Sequence, residues 1–276
     1  MKNNSFAKWM AAAAIALCSV ACNDSDDRSA PADIAGTYGG YTLSSCSYFT
    51  DTCAGDETVL ITNNADGTAA IAFTSSALGK FSIGSATVAA RNGVCEIVGS
   101  GTAQMGMQSV QTYDCTVSGS IRSLDDAEIR FSVPSVMGGM HIVFKTGAAP
   151  AELLLPGTYG GYSAASFAYS AEPMYTDDES LTIAAEDGAL SLSFASTQWG
   201  TFQTPLTVAY EDKVYTLEGA GSVAMGMGAS TNSYQYTLTG KVDAAKNEYE
   251  FSFSVPAVMG GLTVVLHPGK APATAE

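Results

Sequence analysis

The amino-acid sequence predicts an all-β protein of two tandem, eight-stranded, antiparallel up-and-down barrels after an N-terminal address segment. Three observations carry this. Gly36-Thr37-Tyr38-Gly39-Gly40-Tyr41 returns unchanged as Gly157-Thr158-Tyr159-Gly160-Gly161-Tyr162, and Phe131-Ser132-Val133-Pro134-Ser135-Val136-Met137-Gly138-Gly139 returns as Phe253-Ser254-Val255-Pro256-Ala257-Val258-Met259-Gly260-Gly261. A spacing of 121 residues is a domain, because solenoid units run about 20–50 residues. Apolar residues fall on alternate positions, as in Glu248-Tyr249-Glu250-Phe251-Ser252-Phe253, which is the signature of a half-buried strand. Short turn signals separate the runs: Asn64-Ala65-Asp66-Gly67, Asn92-Gly93, Asp125-Asp126, Glu186-Asp187-Gly188 and Ala245-Lys246-Asn247. Such residues tolerate positive φ and suit tight hairpins.

In chain order, residues 1–21 read as a signal peptide. Lys2 and Lys8 give it charge, and Met10 to Val20 form an apolar run too short to cross a bilayer, which needs about 20 residues. Ser19-Val20-Ala21-Cys22 resembles a bacterial lipobox, with serine in place of the usual leucine. That resemblance implies cleavage before Cys22 and acylation of it, against an ordinary signal peptide as the alternative. Several acyl chains anchor a protein stably where one does not. Residues 22–33 form a tether whose Asn23-Asp24-Ser25-Asp26-Asp27 resembles the acidic tract that sends some Gram-negative lipoproteins to the cell surface. A plain polar tether in the periplasmic leaflet is the alternative. The expected location is the outer membrane, with the lipid anchor as the membrane contact.

The first barrel is expected over 34–147, with strands near 36–45, 57–63, 68–74, 80–90, 94–104, 110–122, 127–134 and 140–146. A linker over 148–156 leads to a second barrel over 157–269 with the same eight strands, then a tail over 270–276. Closure of each sheet removes exposed strand edges.

Each repeat opens with Gly-Thr-Tyr, continues through glycine-rich middle strands, and ends in Val-Pro and Met-Gly-Gly before a final apolar strand. In this it resembles the calycin-like β-barrel domains of secreted or lipid-anchored bacterial proteins. The opening also resembles the lipocalin Gly-x-Trp strand, with Tyr38 and Tyr159 replacing tryptophan. The resemblance implies a lipocalin-like barrel with room for an internal ligand.

The formal net charge is −15. Removal of Lys2 and Lys8 with the signal takes it near −17, which disfavours nucleic acid as a partner. Four cysteines remain beyond the anchor, all in the first repeat. In an oxidising compartment an even number reads as disulfides. Repeat positions suggest the pairing: Cys46 and Cys53 map to Phe167 and Met174, while Cys95 and Cys115 map to Tyr215 and Tyr236. The expected bridges are therefore Cys46–Cys53 and Cys95–Cys115.

No catalytic constellation stands out, and no cofactor is expected. His141 and His267 do not match between repeats and read as surface residues. Met105, Met107, Met225 and Met227 recur in Met-Gly-Met, and Met137 recurs as Met259. Thioethers can hold a soft metal or haem, but packing at a barrel end is the preferred reading. These methionines, with the loop residue Trp199, are the candidate ligand-binding residues, although Trp199 reads equally well as a barrel plug. Gly99, Gly101 and Gly119, with Gly219, Gly221 and Gly240, read as strand coiling or as cavity volume. The expected function is a non-catalytic lipid-anchored protein binding a small apolar or amphipathic ligand. The alternative is an adhesion or assembly module that docks protein or glycan on solid barrels.

Overall fold

The computed structural model describes residues 33–106, 109–227, 230–244, 246 and 248–273. The expected signal peptide, Cys22 and nearly all of the tether lie outside these residues, as does Met107. Strands β1 (Gly36–Cys46), β2 (Phe49–Asn63), β3 (Ala69–Ser75), β4 (Gly79–Arg91), β5 (Val94–Met105), β6 (Gln111–Ser123), β7 (Asp126–Val133) and β8 (Met140–Thr146) pair in sequence order, and β8 returns to β1 to close the barrel. The second strand starts eight residues before its expected position. Its early part, Thr50-Asp51-Thr52, has no apolar alternation, and a bulge at Asp56 (φ 54°) resets the register.

A short helix, α1 (Ala151–Leu154), links to the second barrel. There β9 (Gly157–Ser166), β10 (Met174–Glu186), β11 (Ala189–Ser196), β12 (Gly200–Pro205), β13 (Thr207–Glu211), β14 (Val214–Met227), β15 (Ser230–Asp243), β16 (Glu248–Val255) and β17 (Leu262–Pro268) form nine strands where eight were expected. Pro205 stands where the first barrel has Gly84, the place at which β4 shifts register against β5. Proline lacks the N–H needed to continue a ladder. The strand therefore divides, and β12 and β13 occupy opposite ends of the ladder order. Thr204 bridges the resulting seam. Its hydroxyl donates to the Ala220 carbonyl at 2.9 Å and accepts from the Ala220 N–H at 3.1 Å.

A layer of phenylalanines fills the middle of each barrel. Phe73, Phe81 and Phe131 have ring centroids 5.2–5.4 Å apart. Their counterparts Phe194, Phe202 and Phe253 lie 4.7–5.9 Å apart. All six rings are fully buried. Close aromatic pairs add about 0.5–1.5 kcal/mol each beyond the area they bury.

The repeated opening sequence closes one end of each barrel. Ile34 and Leu155 are buried just before the first strand, and Tyr38 and Tyr159 reach back to donate hydrogen bonds to their carbonyls at 2.8 and 2.7 Å. Burial pushes both phenols up to about 12. The second glycine of the repeated pair is a close approach. A Cβ on Gly40 or Gly161 would run into the backbone carbonyl of Lys145 or His267 on the closing strand.

The cysteine pairing is corrected by the register. Cys95 faces Ile121, and Cys115 faces Gly101. Six residues of strand separate the two positions, about 20 Å at about 3.3 Å per residue, whereas a disulfide needs Cα atoms within about 7 Å. Cys53 faces Leu43, while Cys46 faces Phe49 and packs on the core, so the alternation sends the two side chains to opposite faces. All four thiols are free. The pairing registers also make Tyr175, not Met174, the counterpart of Cys53, because Leu43 faces Cys53 as Ala164 faces Tyr175.

Two polar contacts join the barrels among the described residues. The Tyr215 hydroxyl donates to the Ala149 carbonyl at 2.7 Å, and Lys213 pairs with Asp56. The ion pair is solvent-exposed and contributes little. Each barrel has its own core cluster. Expressed separately, 30–147 and 148–276 should each unfold cooperatively in a denaturant titration with a β-type circular dichroism spectrum. Two halves that fold only when mixed would show that the cores depend on one another.

Candidate ligand-binding cavity at the mouth of the first barrel

The end of the first barrel opposite Ile34 gathers the β1–β2, β3–β4, β5–β6 and β7–β8 turns. A cavity of about 1110 Å³ opens among them, just above the usual range of about 300–1,000 Å³ for small-molecule sites. Phe49, Leu78, Met105, Val110, Val136 and Met140 supply its apolar wall. Register sets its depth. Ser75 and Met140, which line the cavity, lie one inward step beyond Phe73 and Phe131 toward the mouth, so the cavity ends above the phenylalanine layer.

The candidate methionines divide. Met105 is buried and lines the cavity, with Met140 beside it. Met137 also lines it but is half exposed. Met137 and Met259 both hold left-handed turns, with φ 49° and 51°, and each is followed by two positive-φ glycines. The two methionines thus occupy equivalent turns, whose left-handed φ does not itself favour methionine. Met225 packs against the second core and does not share a cavity with Met105. The side chain of Met227, like all of Met107, lies outside the described residues. Met105 and Met225 belong to the separate cores of the two barrels.

Trp199 is a plug. It stands where the first barrel has Leu78, is only 8 % exposed, and packs near Phe167, the counterpart of Cys46. Its indole N–H finds no acceptor among the described residues. Tyr236 replaces Cys115 and meets Phe202 edge-on at 5.0 Å. Three small or medium side chains of the first barrel thus become aromatic in the second, and of the three Leu78 lines the cavity. The candidate cavity glycines lie where strands approach closely: a Cβ at Gly101 would meet the Ser82 carbonyl, and one at Gly221 the Tyr236 ring. His141 is exposed as expected, whereas His267 is half buried between Tyr162 and Glu250.

The sequence analysis missed a buried carboxyl in each barrel. Glu57 accepts a hydrogen bond from the Ser75 hydroxyl at 2.6 Å, and Glu179 accepts one from Ser196 at 2.8 Å. The serine oxygens in turn accept the N–H groups of Ala77 and Leu78, and of Gln198 and Trp199. This latch fixes the β3–β4 turn, which forms one wall of the cavity, and its counterpart holds Trp199 in place. Burial pushes both carboxyls above the usual range, partly offset by the serine bonds. The signal was present as Glu57 and Glu179, each breaking an inward apolar alternation with Val59 or Leu181.

With this geometry in view, the comparisons are decisive for family. The calycin-like β-barrel domain model matches residues 34–147 and again 155–270. The chain belongs to the calycin-like β-barrel family. No curated protein matches this calycin-like chain. Among solved structures, it is similar to a Bacteroides fragilis protein provisionally named an outer membrane protein, with 24 % identity over 86 % of this chain and 98 % of that one, at a TM-score of 0.49. It is also similar to a Nostoc punctiforme protein of unknown function, with 12 % identity over 84 % and 94 % of the two chains, at a TM-score of 0.23.

The latch carries a pH signature. Each glutamate has a raised pKa in the folded state, so the fold binds its proton more tightly than the unfolded chain does. The associated stability is present below the ordinary glutamate pKa and is lost as pH rises through the raised value. Glu57→Gln/Glu179→Gln keeps an oxygen acceptor for serine but cannot ionise. Its melting temperature relative to wild type should rise between pH 4 and pH 7 in differential scanning calorimetry. A relative fall over that interval would reverse the assignment.

Proposed function

We propose that this chain is a non-catalytic, lipid-anchored envelope protein whose first barrel holds one small apolar or amphipathic ligand, while the second is a packed companion. The observation that carries the reading is the mouth cavity and its apolar wall. The second barrel supports it as an internal contrast, since the same fold there is filled by Trp199, Phe167 and Tyr236. Eight-stranded barrels either pack solid or hold one small ligand, and this chain has one barrel suited to each.

A second reading, docking of protein or glycan on an outer face, draws on one feature. Tyr175, Tyr162 and His267 form a ring row across β10, β9 and β17, with centroids 6.1 and 5.3 Å apart. It predicts binding that is indifferent to the cavity and lost in Tyr162→Ala.

An uncharged polarity-sensitive fluorophore tests the cavity. It should bind wild type at one site per chain. Leu78→Trp, which copies the plug, should abolish binding while the protein stays folded. Binding unchanged by Leu78→Trp would remove the cavity as the site. For the anchor, Cys22→Ala should move the protein from the membrane to the soluble fraction or leave it unprocessed, and should end incorporation of labelled palmitate. Equal labelling of mutant and wild type would refute lipidation at Cys22.

A further inference from the structure

Each barrel carries an apolar tip outside its mouth, and the tip recurs. The β1–β2 turn holds Tyr48 and the β9–β10 turn holds Tyr169, while the β7–β8 and β16–β17 turns hold Met137 and Met259. The Ser47 N–H donates to the Met137 carbonyl at 3.3 Å and ties the first two turns together. The Ala168 N–H does the same to Met259 at 3.2 Å. Tyr169, Tyr48 and Val110, at 81 %, 78 % and 70 %, are the most exposed large apolar side chains among the described residues, and all three stand on mouth turns. Met137 and Met259 are half exposed in a left-handed conformation that suits glycine or asparagine and gives methionine no advantage. Neither the cores nor the turn geometry accounts for such a tip.

Charge is distributed to match. The mouth turns of the first barrel, 47–48, 76–78, 106–110 and 134–139, hold no charged residue, and those of the second, 167–173, 197–199, 228–229 and 256–261, hold only Glu172. Asp51 and Lys80 are set back in the adjoining strands. The hairpin turns at the opposite ends hold Asp66, Asp125, Asp187, Asp212, Lys213 and Lys246. Inside the mouth the barrels differ, one open and one plugged by Trp199, yet outside it they agree. A role confined to the cavity would leave the plugged barrel's tip unexplained.

We infer that these tips dock on the interface of a zwitterionic phospholipid bilayer, with Tyr48, Val110 and Met137 entering from the first barrel and Tyr169 and Met259 from the second. Tyrosine favours the headgroup level, where its ring is apolar and its hydroxyl stays wet. Thioether and valine side chains add apolar contact without the charge that a bilayer penalises. The body of the chain, with a formal net charge of −15, keeps away from a phosphate-bearing surface, so the uncharged mouth is the end that approaches it. A protein partner would be oriented by charge complementarity, which the tips do not offer. The reach fits as well. Strand β1, of 11 residues, rises about 35 Å at about 3.3 Å per residue, whereas residues 23–35 extend to about 45 Å. A chain held at Cys22, as proposed above, can therefore bring its mouth to the membrane that holds it. The inference itself depends on neither the anchor nor the cavity.

Co-sedimentation with phosphatidylcholine vesicles tests it, using the chain from residue 23 onward, which holds both barrels and lacks Cys22. Tyr169→Ser/Met259→Asn removes the second tip and Tyr48→Ser/Met137→Asn the first, and asparagine suits the left-handed turn. Wild type should pellet with the vesicles, and either pair of changes should weaken partition. All four together should weaken it about 10-fold or more, since each removes apolar contact. Leu124→Ser, at a position as exposed as the two methionines but at the charged end, should bind as wild type does. Vesicles of equal phosphatidylcholine and phosphatidylglycerol should bind less, because the acidic body is repelled. Pelleting no greater than without vesicles, pelleting unchanged by the four substitutions, or tighter binding to the anionic vesicles overturns the inference. A tip-dependent dimer in analytical ultracentrifugation without lipid also overturns it, and assigns the tips to a second copy of the chain. The fluorophore assay reports on the cavity separately, so either reading can fail without the other.

Discussion

The packed layer of phenylalanines is the constraint around which each barrel is organised. Three rings contributed by the third, fourth and seventh hairpin-connected strands meet at the axis, so strand register and closure are fixed together. A slip of one residue would send each ring to the solvent face. Because the middle is solid, only the two ends of a barrel remain open to variation. One end is closed in both copies by the residue before the first strand and the tyrosine that reaches back to it. The other end is where the copies diverge.

That divergence is confined to a few positions. Leu78 against Trp199, Cys46 against Phe167 and Cys115 against Tyr236 change side-chain volume at one mouth without changing the backbone plan. The latch beneath is retained, with Glu57 and Glu179 holding equivalent turns through serine. Retaining a buried carboxyl twice, despite the cost of burying it, fits a part whose task is positional. In the first barrel it fixes a cavity wall; in the second it fixes a plug.

Much of the fold was legible because the duplication printed it twice. The repeat length marked two domains, alternation marked the strands, and Gly-Thr-Tyr and Met-Gly-Gly marked ends and turns. What failed was register. Cys95 and Cys115 share inward parity, and parity alone cannot say how far apart two residues sit along paired strands. The bulge at Asp56 recurs at Asp178, and the second strand of the second repeat sits one residue later than the repeat spacing predicts, a difference that arises before the bulge and is compensated in the next turn. The site was legible only in part. The methionines drew attention because they recur, but Met137 and Met259 occupy matching exposed turns and only Met105, Met137 and Met140 border the cavity. The informative residue, Leu78, is one that does not recur, and only the folded mouth shows what its replacement by Trp199 does.

The seam in the second barrel bears on how the chain avoids its own kind. Interrupting a closed ladder creates two strand edges, and an exposed edge is a template for a foreign strand. Here the interruption is disarmed where it arises. Pro205 has no N–H to offer, and the Thr204 hydroxyl already occupies both backbone groups of Ala220. Such an edge would be most hazardous wherever copies of the chain meet often. The break therefore loosens one sheet without making it adhesive.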